Sequence, residues 1–149
     1  MNTKSTWTID PSHSEITFKV KHLMITNVKG EFRTFSGSVE TSGNDFSNAR
    51  AMVEIETASI YTNNDDRDNH LRSADFFDAA NHPVIKFSAT GLKPVSDEEF
   101  VLSGILSMHG VEKEISLKAE FGGINKDPWG REKAGFSVSG SINRKDWGL

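Results

Sequence analysis

Residues 113–121 keep a two-residue rhythm without a break. Ile115, Leu117, Ala119 and Phe121 fall on one parity, and Glu114, Ser116, Lys118 and Glu120 on the other. Successive side chains of an extended strand point to opposite faces, so such a run is stable only as one row of a sheet with a dry side and a wet side. The pattern recurs along the chain. Glu15–His22 sets Ile16, Phe18 and Val20 against Thr17, Lys19 and Lys21, and Arg50–Thr57 sets Ala51, Val53 and Ile55 against Glu54 and Glu56. Val84–Ala89 opposes Ile85, Phe87 and Ala89 to Lys86 and Ser88, while Ala134, Phe136, Val138 and Ile142 alternate with Ser137, Ser139, Ser141 and Asn143. Phe35–Thr41 and Phe100–Met108 are two strands of weaker pattern, with Gly37 and Gly104 inside them where coiling or close backbone approach is expected. Turn signals separate the runs at Ser42-Gly43-Asn44-Asp45, Gly91–Glu98, Gly110 and Gly122–Gly130. Short connections favour an antiparallel meander, and one-sided alternation suits a barrel or a sandwich.

Asn63 to Pro83 is the exception. Asn63 is a plausible N-cap, with Asp65 and Asp66 in a first turn whose dipole favours acids. Leu71 is followed by Phe76 and Phe77, and Pro83 forbids continuation of a helix. The insert therefore reads as a short polar helix fastened to an all-β body by a few large apolar side chains.

A chain of 149 residues is one domain, 1–149, large enough to bury a core without staples. Its net charge of -4, with Lys and Arg scattered among acids, argues against a nucleic-acid surface and a polybasic membrane anchor. Absence of cysteine excludes disulfides and thiolate chemistry. No apolar run reaches the length of a membrane span. The N-terminus has no apolar stretch like a signal peptide, so the expected location is cytoplasmic, or periplasmic for a chain whose leader has been removed.

The polar candidates for chemistry have simpler readings. His70 is one helical turn from Asp66 and Arg67, which suits a surface ion pair. His82 precedes Pro83, and no His-x-His or His-Glu-x-x-His spacing occurs, so no metal site is expected. His13 lies in Asp10-Pro11-Ser12-His13-Ser14, where polar side chains cap a turn. No Gly-x-Ser-x-Gly elbow and no phosphate-cradling glycine loop are present. The adjacent acids Asp65/Asp66 and Glu98/Glu99 fall where carboxylates are normally solvated. An enzyme reading would have to rest on His13, His70, Asp75 or Arg144 at a pocket mouth; an interaction module would use an open edge or a Phe patch. Ten phenylalanines and three tryptophans supply large interior side chains, for a packed core or for a barrel with room for one small ligand. The small residues Gly37, Ala51, Ala89, Gly104, Ala119 and Gly140 beside them would leave that room.

From Trp7 to Leu149 the chain resembles the YceI-like family of lipid- or polyisoprenoid-binding proteins. The motifs are Asp10-Pro11-Ser12-His13-Ser14, Lys21-His22-Leu23, Val28-Lys29-Gly30-Glu31-Phe32, Arg67-Asp68-x-His70-Leu71-Arg72-Ser73-x-Asp75-Phe76-Phe77-Asp78, His82-Pro83-x-Ile85-x-Phe87, Gly104-x-Leu106-x-Met108-x-Gly110-Val111, Ala134-Gly135-Phe136 and Asn143-Arg144-Lys145-Asp146-Trp147-Gly148-Leu149. Trp147 replaces a usual phenylalanine and Glu112 a frequent threonine, and family members normally continue past Leu149 into at least one more strand. The resemblance implies an extended, lipocalin-like antiparallel β-barrel, here short of its last strand and open at two edges. It implies an apolar lipid partner (an isoprenoid, isoprenoid quinone or fatty chain), carriage without catalysis, no cofactor, and a homodimer as the assembly to look for. On this reading the ligand-binding wall comprises Phe18, Val20, Met24, Val28, Val53, Ile55, Leu71, Phe76, Phe77, Phe87, Leu102, Leu106, Met108, Leu117, Phe136 and Val138, with methionines suiting a pocket that adapts to a flexible ligand.

Overall fold

The computed structural model describes residues 4–22, 26–42 and 45–149. Seven strands form one curled antiparallel sheet, a half-barrel, in the order β1 (Lys4–Thr8), β4 (Phe35–Ser42), β5 (Asp45–Glu56), β7 (Val84–Pro94), β8 (Glu99–Met108), β9 (Val111–Lys126) and β10 (Glu132–Ser139). A second sheet joins β2 (Ile16–His22), β3 (Thr26–Phe32) and the two-residue β6 (Ile60–Tyr61). Among the described residues one α-helix, α1 (Asp65–Arg72), follows β6.

Because every pairing is antiparallel, strand direction alternates across the large sheet. The C-terminal ends of β4, β7 and β9 therefore lie at one end. The β8–β9 turn and the crossover carrying β6 and α1 lie at the other. The alternation read from the sequence becomes real rows of neighbours: Val53 is opposite Phe87 and Phe87 opposite Leu106, while Ala51, Ala89, Gly104 and Ile115 form the next row. Beyond the crossover end the core collects Phe32, Ile55, Ile60, Ile85, Met108 and Trp147.

Three expectations about the strands are corrected. Gly91–Glu98 is not all turn: β7 continues to Pro94, opposite Phe100, with a bulge between Ala89 and Gly91. Gly122–Gly130 is likewise mostly strand, since β9 runs to Lys126 and takes up its extra residue beside Gly123, whose φ of 101° only glycine adopts easily. Glycine here permits sharper coiling of a continuing strand, not its reversal. The alternation running to Asn143 ends earlier, at Ser139, and residues 144–147 make a 3-10 turn instead. Strands β1, β3 and β6 were not expected; each is short or carries little alternation.

In the insert, Asn64 and not Asn63 caps α1. Asn64 is extended and its side chain accepts from Arg67 N at 3.0 Å, whereas Asn63 sits at φ 62°, outside the conformation a cap requires. Asp65 and Asp66 do occupy the first turn.

The outer edges of β1 and β10 have no strand partner among the described residues. They run in the same direction, so one strand antiparallel to both would be needed to join them. Lys133, at the start of β10, reaches Asp10, just past the end of β1, at 3.5 Å. That is the stagger expected of tilted strands curling toward closure.

The glycines inside the wall are filled, not empty. A Cβ on Gly104 would lie 2.8 Å from the Phe87 ring and 2.4 Å from Ser88 O; on Gly37 it would meet Ile9, and on Gly140 Leu117. Small residues thus seat large neighbours, contrary to the expectation that they leave room. Gly104→Ala should cost about 1–3 kcal/mol through overpacking. Gly91→Ala, whose Cβ meets nothing within 4 Å, should stay within about 0.5 kcal/mol of the parent. Urea denaturation midpoints compare the two.

Candidate functional site

The expected wall residues separate into two groups. Ile55, Phe87 and Met108 are buried, and Phe18, Val53, Leu71, Phe77 and Leu106 are partly buried, all but Phe87 within or against the core cluster. Their apolar surface is already used by packing. Gly30 lets the Phe18 ring lie over β3, where a Cβ would meet Phe18 Cζ at 2.3 Å, and Phe18 then stacks at 5.5 Å on Phe32. Phe77 meets Phe32 edge-on at 6.0 Å.

The second group lies on the same face but toward the β10 edge. Leu102 pairs across strands with Leu117, both half-buried, and Val138 lies opposite Ala119. Phe136 remains 39% exposed and Val138 47%. Phe121, which alternation put on the dry parity but which was not expected in the site, stacks on Phe136 at 5.0 Å. That pairing depends on the β9–β10 bulge register, which no local pattern reveals. An open cleft of about 490 Å³ adjoins this pair, bordered by Glu98, Glu99, Glu120, Gly122 and Ser137. It lies between the β7–β8 turn and the β9–β10 hairpin.

Val20 and Val28 pair with each other on the β2–β3 hairpin, both half-buried. Met24 lies outside the described residues. Phe76 turns away from the core and sets its ring edge-on to His70 at 4.9 Å, so the two phenylalanines do different work.

The charges of the insert hold it in place. Arg67 donates to Thr62 Oγ1 at 2.8 Å and to Thr62 O at 2.7 Å, and Arg72 donates to Ala58 O and Ile60 O. Asp68, 2% exposed, accepts from the Thr62 backbone N–H and from its hydroxyl. These bonds satisfy groups that burial would otherwise leave costly. His70 pairs not with Asp66 or Arg67 but with Asp75, at 3.2 Å, with both side chains more than half exposed. Asp75 projects from the turn after α1, which brings its carboxylate to the imidazole.

At Asp10 the carboxylate accepts from Ser12 N and Ser12 Oγ, while its other oxygen meets His13 Nδ1 at 2.8 Å. The Ser12 hydroxyl approaches that same Nδ1 at 3.1 Å. A Ser-His-Asp triad needs serine and carboxylate on different imidazole nitrogens. This cluster is a capped turn instead. Among the described residues no group of three or more His, Asp and Glu is placed to hold a metal ion.

The closed end is finished by the C-terminal turn. Asn143 accepts from Lys145 N, Gly148 adopts φ 79°, and Trp147, 2% exposed, donates its indole N–H to Leu106 O at 3.0 Å. His109 Nδ1 meets Trp147 O at 3.1 Å, and its ring lies 5.2 Å from that of His82. Trp147 entered the sequence reading only through a motif; its role as a plug needs the fold.

Two consequences can be measured. Phe77→Ala should destabilise by roughly 2–4 kcal/mol and Phe76→Ala by less than about 1 kcal/mol in chemical denaturation. Side-chain hydrogen bonds from Ser12 and then His13 hold the Asp10 carboxyl well below the usual carboxylate range. The stabilisation is complete above the ordinary value of about 3.9 and is lost as pH falls through the lowered one. A carbon-detected NMR titration should give Asp10 a midpoint below that of free aspartate, and Ser12→Ala should raise it.

The YceI-like domain model matches residues 7–149. A UPF0312 protein of Azotobacter vinelandii is 38% identical over 137 residues, 92% of this chain and 71% of the relative. The crystal structure of a Campylobacter jejuni YCEI protein superposes with a TM-score of 0.78 at 39% identity, covering 95% of this chain and 82% of that one. A polyisoprenoid binding domain from Saccharophagus degradans shares the fold at a TM-score of 0.51 and 19% identity, covering 78% and 62%. A curled antiparallel sheet with one capping helix, matched along nearly its whole length by that domain model, places this chain in the YceI-like family.

Proposed function

We propose that this chain binds a long apolar lipid along the inner face of its half-barrel and performs no chemistry on it. One observation carries the reading: an apolar strip on β8, β9 and β10 that is half-buried along β8 and β9 and ends on β10 in exposed side chains. Leu102, Leu117, Phe121, Phe136 and Val138 share one face, with Phe136 and Val138 still 39% and 47% exposed. It is their contiguity on one face, rather than the exposure of any one of them, that points to a ligand. A strip of apolar groups crossing several strands suits a flexible hydrocarbon chain better than a compact polar molecule. Burying the ligand would gain about 0.8 kcal/mol per CH₂ before the cost of ordering it. The Saccharophagus degradans neighbour, described as a polyisoprenoid binding domain, supports the same ligand class.

Within that class the reading favours a polyisoprenoid, an isoprenoid quinone or a fatty chain, carried and released. The polar groups argue the same way. His70–Asp75 and His13–Asp10 are separate, solvent-exposed pairs, and neither borders the cleft at Phe121 and Phe136. A homodimer belongs to the reading as well, since a second copy could cover the edges of β1 and β10; light scattering of ligand-loaded and delipidated protein would report it, and a monomer in both would remove it.

Organic extraction and mass spectrometry of the purified protein should recover an apolar chain in near-stoichiometric amount. Val138→Glu and Leu117→Glu should each lower its recovery about tenfold while circular dichroism keeps the β signature. Repeated absence of any apolar ligand, or unchanged recovery in both variants, would overturn the proposal.

A further inference from the structure

The β9–β10 hairpin ends in Asp127-Pro128-Trp129-Gly130-Arg131, and its tip is built to present a tryptophan to the outside. Trp129 is 78% exposed. The turn beneath it is rigid: Asp127 Oδ1 accepts from Trp129 N and from Arg131 N, both at 2.9 Å. Asp127 N donates to Arg131 O, Gly130 N donates to Asp127 O, and Gly130 takes φ 83°. The Asp127 side chain is only 8% exposed, with Oδ2 3.2 Å from Arg131 Nε. Hydrogen bonds from the Arg131 backbone first, then Trp129, hold its carboxyl below the usual range, so the lock stays charged at neutral pH. The turn thus needs nothing from the indole, which is held outward at the cost of exposing the largest apolar side chain available.

The position adds to this. The β9–β10 tip shares one end of the half-barrel with the β7–β8 turn, opposite the end plugged by Trp147 and α1. On the β7–β8 turn Val95 is 64% exposed. The Phe121–Phe136 pair, with Phe136 39% exposed, and the cleft bordered by it lie beside the same hairpin. Arg131 lies over the Trp129 ring at 5.8 Å, and Lys126 is exposed at the base of the tip.

We propose that this end docks on a lipid bilayer, with Trp129 seated among the headgroups and Val95 beside it, so that the open strip faces the membrane. This rests on the lipid-binding reading and adds to it where the ligand is exchanged. Tryptophan favours the membrane–water interface, where an apolar ring and a polar N–H are both satisfied. A protein partner is the poorer fit, because one ring on a projecting tip is not the broad complementary patch a stable interface buries. Asp97 and Glu98 on the neighbouring turn offset Lys126 and Arg131. Anionic lipid should therefore matter less than the indole does.

The three tryptophans make the test clean. Trp147 is buried and Trp7 is partly buried with its indole bonded to Thr41 Oγ1, so an emission change on docking reports Trp129. Full-length protein is titrated with phosphatidylcholine vesicles, with and without a minority of phosphatidylglycerol. The expected result is a blue shift, quenching by brominated lipid, and cosedimentation. Trp129→Ala should weaken binding about tenfold, and Trp129→Phe should retain most of it. Phosphatidylglycerol should change binding less than Trp129→Ala does. No shift with either vesicle, or cosedimentation indifferent to Trp129→Ala, overturns the proposal; so does binding governed by phosphatidylglycerol and abolished by salt. Lipid extraction from the same preparations keeps the two readings apart. Vesicle binding without extractable lipid supports docking and removes carriage, whereas extractable lipid without vesicle binding does the reverse.

Discussion

The register of the central ladder, β5 against β7 and β7 against β8, governs everything else in this molecule. It aligns Val53, Phe87 and Leu106 in one row and Ala51, Ala89 and Gly104 in the next. A slip by one residue would turn every one of these side chains to solvent. Held in place, the rows set the Phe87 ring over Gly104, where no side chain could stand, in a sheet that curls. Curling produces the two ends that matter: one packed with Trp147, Phe32 and Phe77, the other carrying an open cleft between the β7–β8 turn and the β9–β10 hairpin.

The difference between the ends is one of energy already spent. At the sealed end, Ile55, Ile60, Ile85 and Met108 have given up their surface to each other, and α1 is fastened by Arg67, Asp68 and Arg72 to the segment around Ile60 and Thr62. Little there remains for a ligand. Along β8, β9 and β10 the same parity continues, and there Phe136 and Val138 keep part of their surface, 39% and 47% exposed. Only apolar surface that folding has left uncovered can drive binding of an apolar chain. The proposed site is thus the part of this apolar face that packing has left exposed.

The charged insert shows why clusters of reactive residues mislead. Arg67, Asp68, His70, Arg72 and Asp75 sit within nine positions, a density that suggests chemistry. In the fold, Arg67, Asp68 and Arg72 serve backbone carbonyls and Thr62, because the crossover from β6 into α1 leaves polar groups that no strand can pair. His70 and Asp75 pair in solvent. A short polar helix on an apolar body needs such bonds, and these residues supply them.

From the sequence by itself came the class of fold, the dry parity of most of its strands, the short helix with its acidic first turn, and the absence of thiol and metal-spacing motifs. These are local properties: alternation follows from the geometry of an extended chain, and a helix start from its orphan amide groups. Only tertiary structure decided which dry-parity residues are core and which are open wall. It also decided that Phe76 and Phe77 part company, that interior glycines are filled, and that Gly91 and Gly122–Gly123 bend strands without ending them. Each of these depends on what lies across the sheet, tens of residues away in the chain, and a side chain carries no local sign of its distant neighbour.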